Sequence, residues 1–561
     1  MRGWAVLLLG LLAVERPPIA AAQAGPIAAA PQPAEPALQQ PLAPPPQAEN
    51  PAGGRRLIDE AHLLLSAALL PPDLLNLTAT GAVPTAGNGN ASRAAPPPPS
   101  PLPAANQASV WLDMDGWAKI VPPSFLGISH EWNDVDELVE PEAWQLLKDL
   151  QAYGTGPLVL RIGGGSTDLL KTIPDWRVWD TLRRLHNESG MVFILGINFE
   201  AGDWSLTNGQ LQAIRRELPQ AAVLAVELGN EPNFYPNKYG KPAAEYLACC
   251  FVNDWNAMAV PLSCPSGRMS CADGQLAGPA WGHVYMAPET LDWFLKVNHR
   301  WISMVTIHWY RDRAENYNTA ETLLDENEMR ADAGSLRRLV ETAGKWSKAL
   351  RVAEMNSISN SGLRGVSDTL SGALWSLDAA LEVAASGSTG VNFHWGSGSN
   401  VYSAVIRRTK DGKPPIVKPP FYAYALLQMA LTPGSRLLLG ATPTPGNPAR
   451  PPSLKVWPLF HPETNTLRVV LINKHASEPA VLFLSANRGH FGPATLLRLT
   501  APGGLSATRN ITLGGVAYSP EGISTAGTPR GELLEKALDA NGNSAYEVYM
   551  PPASAALMIV R

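Results

Sequence analysis

The 561-residue chain has little cysteine, four residues in all. That is too few to staple a small disulfide scaffold, and a chain of this length buries a large apolar core without one. It also lacks any cluster of lysine and arginine. Its 44 basic side chains are outnumbered by 49 acidic ones, for a formal net charge of -5. A nucleic-acid partner needs a basic face and a polybasic membrane contact needs a basic run; the sequence supplies neither. Beyond the N-terminus no apolar run is long enough to span a bilayer. Local motifs are missing too. There is no HExxH zinc motif and no GxSxG nucleophile elbow. The glycine run Gly163–Gly165 leads to Asp168 where a dinucleotide fingerprint needs glycine, so it reads as a tight strand-end turn. No cofactor, no metal and no obligate protein partner is expected.

What is present is unevenly spread. Residues 1–105 hold 20 of the 52 prolines but only 11 of the 93 charged side chains, and 16 of the 17 tryptophans lie beyond them. Arg2, the apolar run Ala5–Val14 and the small residues around Ala20–Ala24 follow the layout of a secretory signal over residues 1–24. Glu15 and Arg16 are its irregular part, and an uncleaved anchor is the alternative. Asn76, Asn90, Asn187 and Asn510 each open an Asn-x-Ser/Thr triplet, which fits export weakly. The expected location is extracellular or in the secretory pathway, the vacuole included. Residues 25–105, with four prolines in a row at Pro96–Pro99, read as an extended Pro/Ala-rich spacer in which Leu57–Leu77 has the pattern of a marginal amphipathic helix.

From about residue 106 short apolar runs alternate with helical patterns. The runs are Phe125–His130, Leu158–Ile162, Val192–Asn198, Ala222–Leu228, His283–Ala287, Ile302–Trp309, Leu350–Met355 and Gly390–Trp395. Between them lie helix-like stretches such as Pro141–Tyr153, Thr207–Leu218, Ala243–Met258, Ser335–Ala349 and Val366–Ala385. Strands buried on both faces are nearly continuously apolar, and eight of them with helices between predict an α/β fold, a (β/α)8 TIM barrel over residues 106–425. After that the pattern alternates in Leu454–Phe460, Leu467–Asn473, Ala480–Leu484, Ala494–Leu499 and Tyr546–Val560, split by turn residues. This predicts a C-terminal antiparallel β-sandwich over residues 426–561, which Val110–Met114 may be read as joining.

Chemistry in such a barrel sits where the strands end. Two carboxylates occupy such ends, Glu231 after the fourth run and Glu354 in the seventh, where an unpaired charge would be costly. Glycoside hydrolysis needs such a pair, one a protonated acid and the other an ionised nucleophile, and mutual repulsion helps keep the acid protonated. The competing reading of each is a structural acid paired with an arginine, Arg351 being close to Glu354 in sequence. Glu227 reads as a supporting group within its strand. His308 has no second histidine at ligand spacing, so it reads as a hydrogen-bonded residue at the barrel mouth. Cys249, Cys250, Cys264 and Cys271 all follow Glu231 and read as one or two disulfides in preference to a zinc knuckle.

Six segments carry a resemblance to glycoside hydrolase family 79, the family of β-glucuronidases and heparanase. They are FLGISHEW (125–132), LRIGGGSTD (160–168), VELGNEPN (226–233), VTIHWY (305–310), the stretch 353–378 that opens AEMNSISNSG, and GVNFHWG (390–396). Order and spacing match from about residue 110 onward, and the stretch around Glu354 is closer to the β-glucuronidase branch. The resemblance implies a retaining mechanism with Glu231 as acid/base and Glu354 as nucleophile. It implies that Asn230 bonds the sugar 2-hydroxyl, that Tyr310 orients the nucleophile, and that Glu131 and Asp168 lie near the terminal sugar. Relatives often carry tyrosine five residues after the nucleophile to bind the uronate carboxylate. Here that residue is Ser359, and Tyr402 with backbone amides near Gly362 is the expected substitute. The expected activity is an exo-acting β-glucuronidase on an oligosaccharide, polysaccharide or glycoconjugate. The alternatives are an endo-acting, heparanase-like glycosidase and a catalytically silent carbohydrate-binding protein.

Overall fold

The computed structural model describes residues 106–154, 156–236, 238–264, 271–316, 318–396, 400–408, 413–448, 453–487, 492–518, 528–538 and 544–561. The signal, spacer and Leu57–Leu77 helix expected from the sequence lie outside the described residues.

The chain enters through two short strands, β1 (Gln107–Leu112) and β2 (Ala118–Ile120). Eight strands then follow: β3 (Leu126–Glu131), β4 (Val159–Gly163), β5 (Val192–Ile197), β6 (Val223–Leu228), β7 (Leu276–Trp281), β8 (Ile302–Asp312), β9 (Ala349–Ile358) and β10 (Val391–His394). They close in sequence order, with β10 pairing β3 in parallel. This is the (β/α)8 barrel. Its strands are buried on both faces, which is why they read as unbroken apolar runs. The loops between them end in helix caps that the sequence carries openly. Asp175 accepts from the amide of Arg177 at the start of helix Trp176–Ser189, and Asp203 from those of Ser205 and Leu206 at the start of Trp204–Glu217.

One strand differs from the sequence expectation. The fifth is Leu276–Trp281, and His283–Ala287 is the turn after it. The true strand reads LAGPAW, and Pro279 inside it cannot donate to a ladder, a feature that argues against a central strand. The barrel tolerates it with register shifts on the β8 side and a single paired position on the β6 side. Two smaller corrections concern lengths. The last barrel helix runs Pro419–Ala430, past the expected boundary at 425. Tyr546–Val560 is two strands, Ser544–Met550 and Ser554–Val560, because Pro551-Pro552 turns the chain between them.

The rest of the chain builds two facing sheets. One contains β1, which lies in parallel register with Ala480–Ala486, so the entry of the chain joins the sandwich. The other is centred on Thr466–Asn473 and Ser554–Val560 and also takes in β2. Alternate residues of Thr466–Asn473 serve two cores. Leu467, Val469 and Leu471 pack into the sandwich interior. Val470 and Ile472 join the barrel's core. Helix Leu370–Ser386 lies in that second core and is buried along its whole length, so none of its sides faces solvent.

Candidate active site

The centre of the barrel mouth is organised by a residue the sequence reading passed over. Arg161, on β4, is fully buried and reaches five side chains. Its Nε and Nη2 donate to Glu227 Oε2 at 2.8 and 2.6 Å, and Nη2 also donates to Asn230 Oδ1 at 3.0 Å. Nη1 donates to Ser129 Oγ at 3.2 Å and makes an ion pair with Glu354 Oε2. A buried guanidinium needs acceptors for its charge, and carboxylates are the strongest of them. Glu227 and Glu354 supply that pairing and hold the Arg161 proton more firmly than in water, against the opposing effect of burial. Arg351, adjacent in sequence to the Glu354 strand segment, is not the partner of Glu354. It points to the other end of the barrel, where it donates to Asn392 Oδ1 and to the carbonyls of Ser124 and Phe125.

Glu354 lies on β9 opposite His308 of β8. Its Oε1 accepts from the Tyr310 hydroxyl at 2.7 Å, and His394 Nδ1 stands 3.7 Å from its Oε2. Burial acts to raise its pKa, but His394, Arg161 and the Tyr310 hydrogen bond outweigh it and hold the carboxyl far below the ordinary glutamate range. The group is an ionised carboxylate. His394 is flanked on its other side by Glu131, with Nε2 3.4 Å from Oε1. Burial lowers the His394 pKa, yet Glu354 and Glu131 together raise it above the usual histidine value. Glu131 is in turn fixed by the Ser166 amide at 2.9 Å. Burial would raise its pKa, and His394 with Ser166 brings it below the usual value. Gly164 is required here: its φ is +70°, and a β-carbon would come within 2.3 Å of Glu131 Oε1.

Glu231 follows β6 in the Gly-Asn-Glu-Pro turn. Its backbone is left-handed, with φ 46° and ψ 49°, an unfavourable region for a non-glycine residue. The turn is pinned to the end of β7 on both sides: Glu231 N donates to Ala280 O at 2.9 Å, and Gly282 N to Asn233 Oδ1 at 2.9 Å. His308 Nδ1 is 2.8 Å from Glu231 Oε1. The other ring nitrogen, Nε2, faces Arg161 Nη2 at 3.3 Å. A guanidinium can only donate, so Nε2 accepts and the ring proton sits on Nδ1, aimed at Glu231. Oxygens of Glu231 and Glu354 and a nitrogen of His308 all lie within 4.8 Å of one another. Such a trio has the donor types of a metal site. Arg161 already brings a positive charge to both Glu354 and His308.

The other expected residues fall around this centre. Asp168, in helix Gly165–Leu169, accepts from the Tyr235 hydroxyl at 3.0 Å. Burial pushes its pKa up to about 8; the Tyr235 bond opposes this, and the charges of Glu200 and Glu231 add to it. Tyr402 packs against both Tyr310 and His394, with ring centroids 6.0 and 5.8 Å away. Gly362 supports that tyrosine, since a β-carbon there would meet Tyr402 N at 2.8 Å. Its own amide donates to Ser359 O at 3.2 Å within a turn. The four cysteines form two bridges, Cys249–Cys250 and Cys264–Cys271.

Arg161 sits inside the run Leu158–Ile162, whose apolar pattern marks only a strand. His394 was seen only as part of a strand end. Arginine in the middle of an otherwise apolar barrel strand was the available signal, since such a buried charge must find acceptors, carboxylates for Arg161 and an amide oxygen with carbonyls for Arg351.

No protein-family model and no curated protein matches the chain. Solved structures do. The chain is similar to a 4-O-α-L-rhamnosyl-β-D-glucuronidase from Fusarium oxysporum 12S, with a TM-score of 0.64 at 18% identity over 81% of this chain and 99% of that one. It is similar to AbfB, a family 51 α-L-arabinofuranosidase from Bifidobacterium longum, with a TM-score of 0.57 at 13% identity, again over 81% and 99%. A third is CelM2, a bifunctional glucanase-xylanase from a metagenome library, with a TM-score of 0.55, 14% identity and the same coverage of 81% and 99%. The architecture is shared.

Proposed function

We propose that the protein is a retaining glycoside hydrolase, and that its substrate is a β-glucuronide borne on a glycan or glycoconjugate. The carrying observation is the approach of Glu231 and Glu354 to within 4.8 Å, oxygen to oxygen, across the barrel mouth. Retaining glycosidases keep their two carboxyl groups about 5–5.5 Å apart, whereas inverting ones leave about 6.5–9.5 Å for a water. The environments of the pair also differ in the required sense. Glu354 is surrounded by Arg161, His394 and the Tyr310 hydroxyl, which suit an ionised nucleophile. Glu231 is partly open to solvent and has His308 as its side-chain partner among the described residues, which suits a group that must hand a proton to a departing oxygen.

The steps follow from these positions. Glu354 attacks the anomeric carbon while Glu231 protonates the glycosidic oxygen, and the leaving group departs. Glu231 then takes a proton from water, which attacks the anomeric carbon and releases Glu354. Asn230, whose carbonyl oxygen is held by Arg161, keeps its amide N–H groups for the sugar 2-hydroxyl. The glucuronide reading draws on the six sequence segments and on the name of the Fusarium neighbour, with Tyr402 as the hydroxyl donor for the carboxylate. The secretory leader pattern favours action outside the cell or in the secretory pathway.

A panel of aryl β-glucuronide, glucoside, galactoside and xyloside, with the product anomer followed by NMR, tests the reading. Hydrolysis of the glucuronide with retention is expected. Glu354→Gln should lower kcat by roughly 10⁴-fold or more with an unchanged circular dichroism spectrum. Full activity in that variant would remove Glu354 from the nucleophile role.

A further inference from the structure

Glu231 has an aromatic neighbour. A β-carbon built at Gly282 would lie 2.3 Å from the Phe234 ring and 2.8 Å from Glu231 Oε1, so carboxylate and ring border one small gap. From Phe234 the rings continue: its centroid is 5.7 Å from that of His283, which is 6.4 Å from that of Tyr285. Phe234 and Tyr285 are 43% and 52% exposed. An exposed aromatic is unremarkable in isolation, but Tyr285 is tethered. Its hydroxyl donates to Oδ1 of Asp332, a buried carboxyl whose Oδ2 accepts from Trp309 Nε1 at 3.1 Å. Trp309 follows His308 on β8. The outer ring of the strip is therefore held from beneath by the same strand that orients Glu231.

We propose that Phe234 and Tyr285 form the leaving-group side of the binding site, and that their occupant is a saccharide with at least two sugar units beyond the scissile bond. The inference rests on the glycosidase reading. The acid gives its proton to the glycosidic oxygen, so the leaving group must begin beside Glu231, and the strip begins there. A pyranose presents flat C–H faces that pack on aromatic rings, and a rigid ring pays little entropy to receive them. Two exposed rings with His283 between them match successive units of a chain; a single aryl leaving group would cover only the inner one.

The test compares kcat/KM for two substrates in wild type, Tyr285→Ala and Tyr285→Phe. One substrate is the aryl β-glycoside that the wild type cleaves. The other carries the same terminal sugar β-linked to a linear trisaccharide. Tyr285→Ala should lose about tenfold more on the oligosaccharide than on the aryl glycoside, chiefly through KM. Tyr285→Phe, which keeps the ring and drops the Asp332 tether, should fall between. Equal losses on both substrates, or none on the oligosaccharide, would overturn the assignment while leaving the glycosidase reading standing. If the wild type cleaves neither substrate, the glycosidase reading itself fails.

Discussion

Arg161 gives the site its electrostatic logic. One side chain bonds Glu227, Asn230, Ser129 and Glu354 and faces His308. It helps ionise one carboxylate, fixes the tautomer of the histidine on the other, and aligns the asparagine between them. Asp168 shows the opposite case, a carboxyl kept protonated by burial. Its pKa rises from 3.8 to about 8 on folding, so between those values the folded chain holds a proton that the unfolded chain releases. Stability from this group therefore falls as pH rises from about 4 to 8. Asp168→Asn should remove that dependence. Its Tm advantage over wild type is expected to grow through this window to a few degrees and to level off above it, which thermal melts from pH 4 to pH 9 would measure. Parallel curves would mean that Asp168 is ionised in the fold. At this scale Asn230, Tyr310 and Glu131 came from the family resemblance, whereas the two carboxylates were readable because each stands at the end of an apolar run. Arg161 was not, since its partners come from β3, β6 and β9, far apart in sequence.

Elements explain where the sequence pattern succeeded and where it failed. Seven barrel strands were legible as apolar runs, and the fifth was hidden by Pro279. The long stretch 454–473 reads as half-buried strands although both faces are covered, because one face meets the opposite sheet and the other meets helix Leu370–Ser386. That helix is joined to the sheet by charge as well as by packing. Asp378 accepts from Trp457 Nε1 at 2.9 Å and pairs with Lys474 at 2.6 Å, while Lys455 bridges Glu326 and Glu382 at 2.9 Å each. Removing Asp378 takes from buried Lys474 its closer counterion and leaves it Glu326 at 3.0 Å. Asp378→Ala should cost about 3–5 kcal/mol, read as a shift in a urea or guanidinium unfolding midpoint. Asp378→Asn, which keeps the Trp457 bond, should cost less. A midpoint unchanged in the alanine variant would show the cluster to be energetically idle.

At the scale of the molecule, barrel and sandwich share one apolar core that includes Leu427, Trp457, Val470 and Leu557. Neither part can shed the other without exposing it. Thermal unfolding followed by tryptophan fluorescence and by far-ultraviolet circular dichroism should therefore give one coincident transition. A chain ended after residue 435 should aggregate or remain unfolded. Two separated transitions would mean that the shared core contributes little. The barrel and the sandwich were both legible from periodicity; their fusion was not, because a residue's burial does not name the element that covers it.

The pairing of β1 with Ala480–Ala486 has a temporal side. During synthesis β1 waits for a partner made more than 370 residues later, as the Met114–Asn487 hydrogen bond, 373 positions apart, also records. Until then its edge is bare and sticky. This sheet therefore cannot be completed until residue 486 has been made.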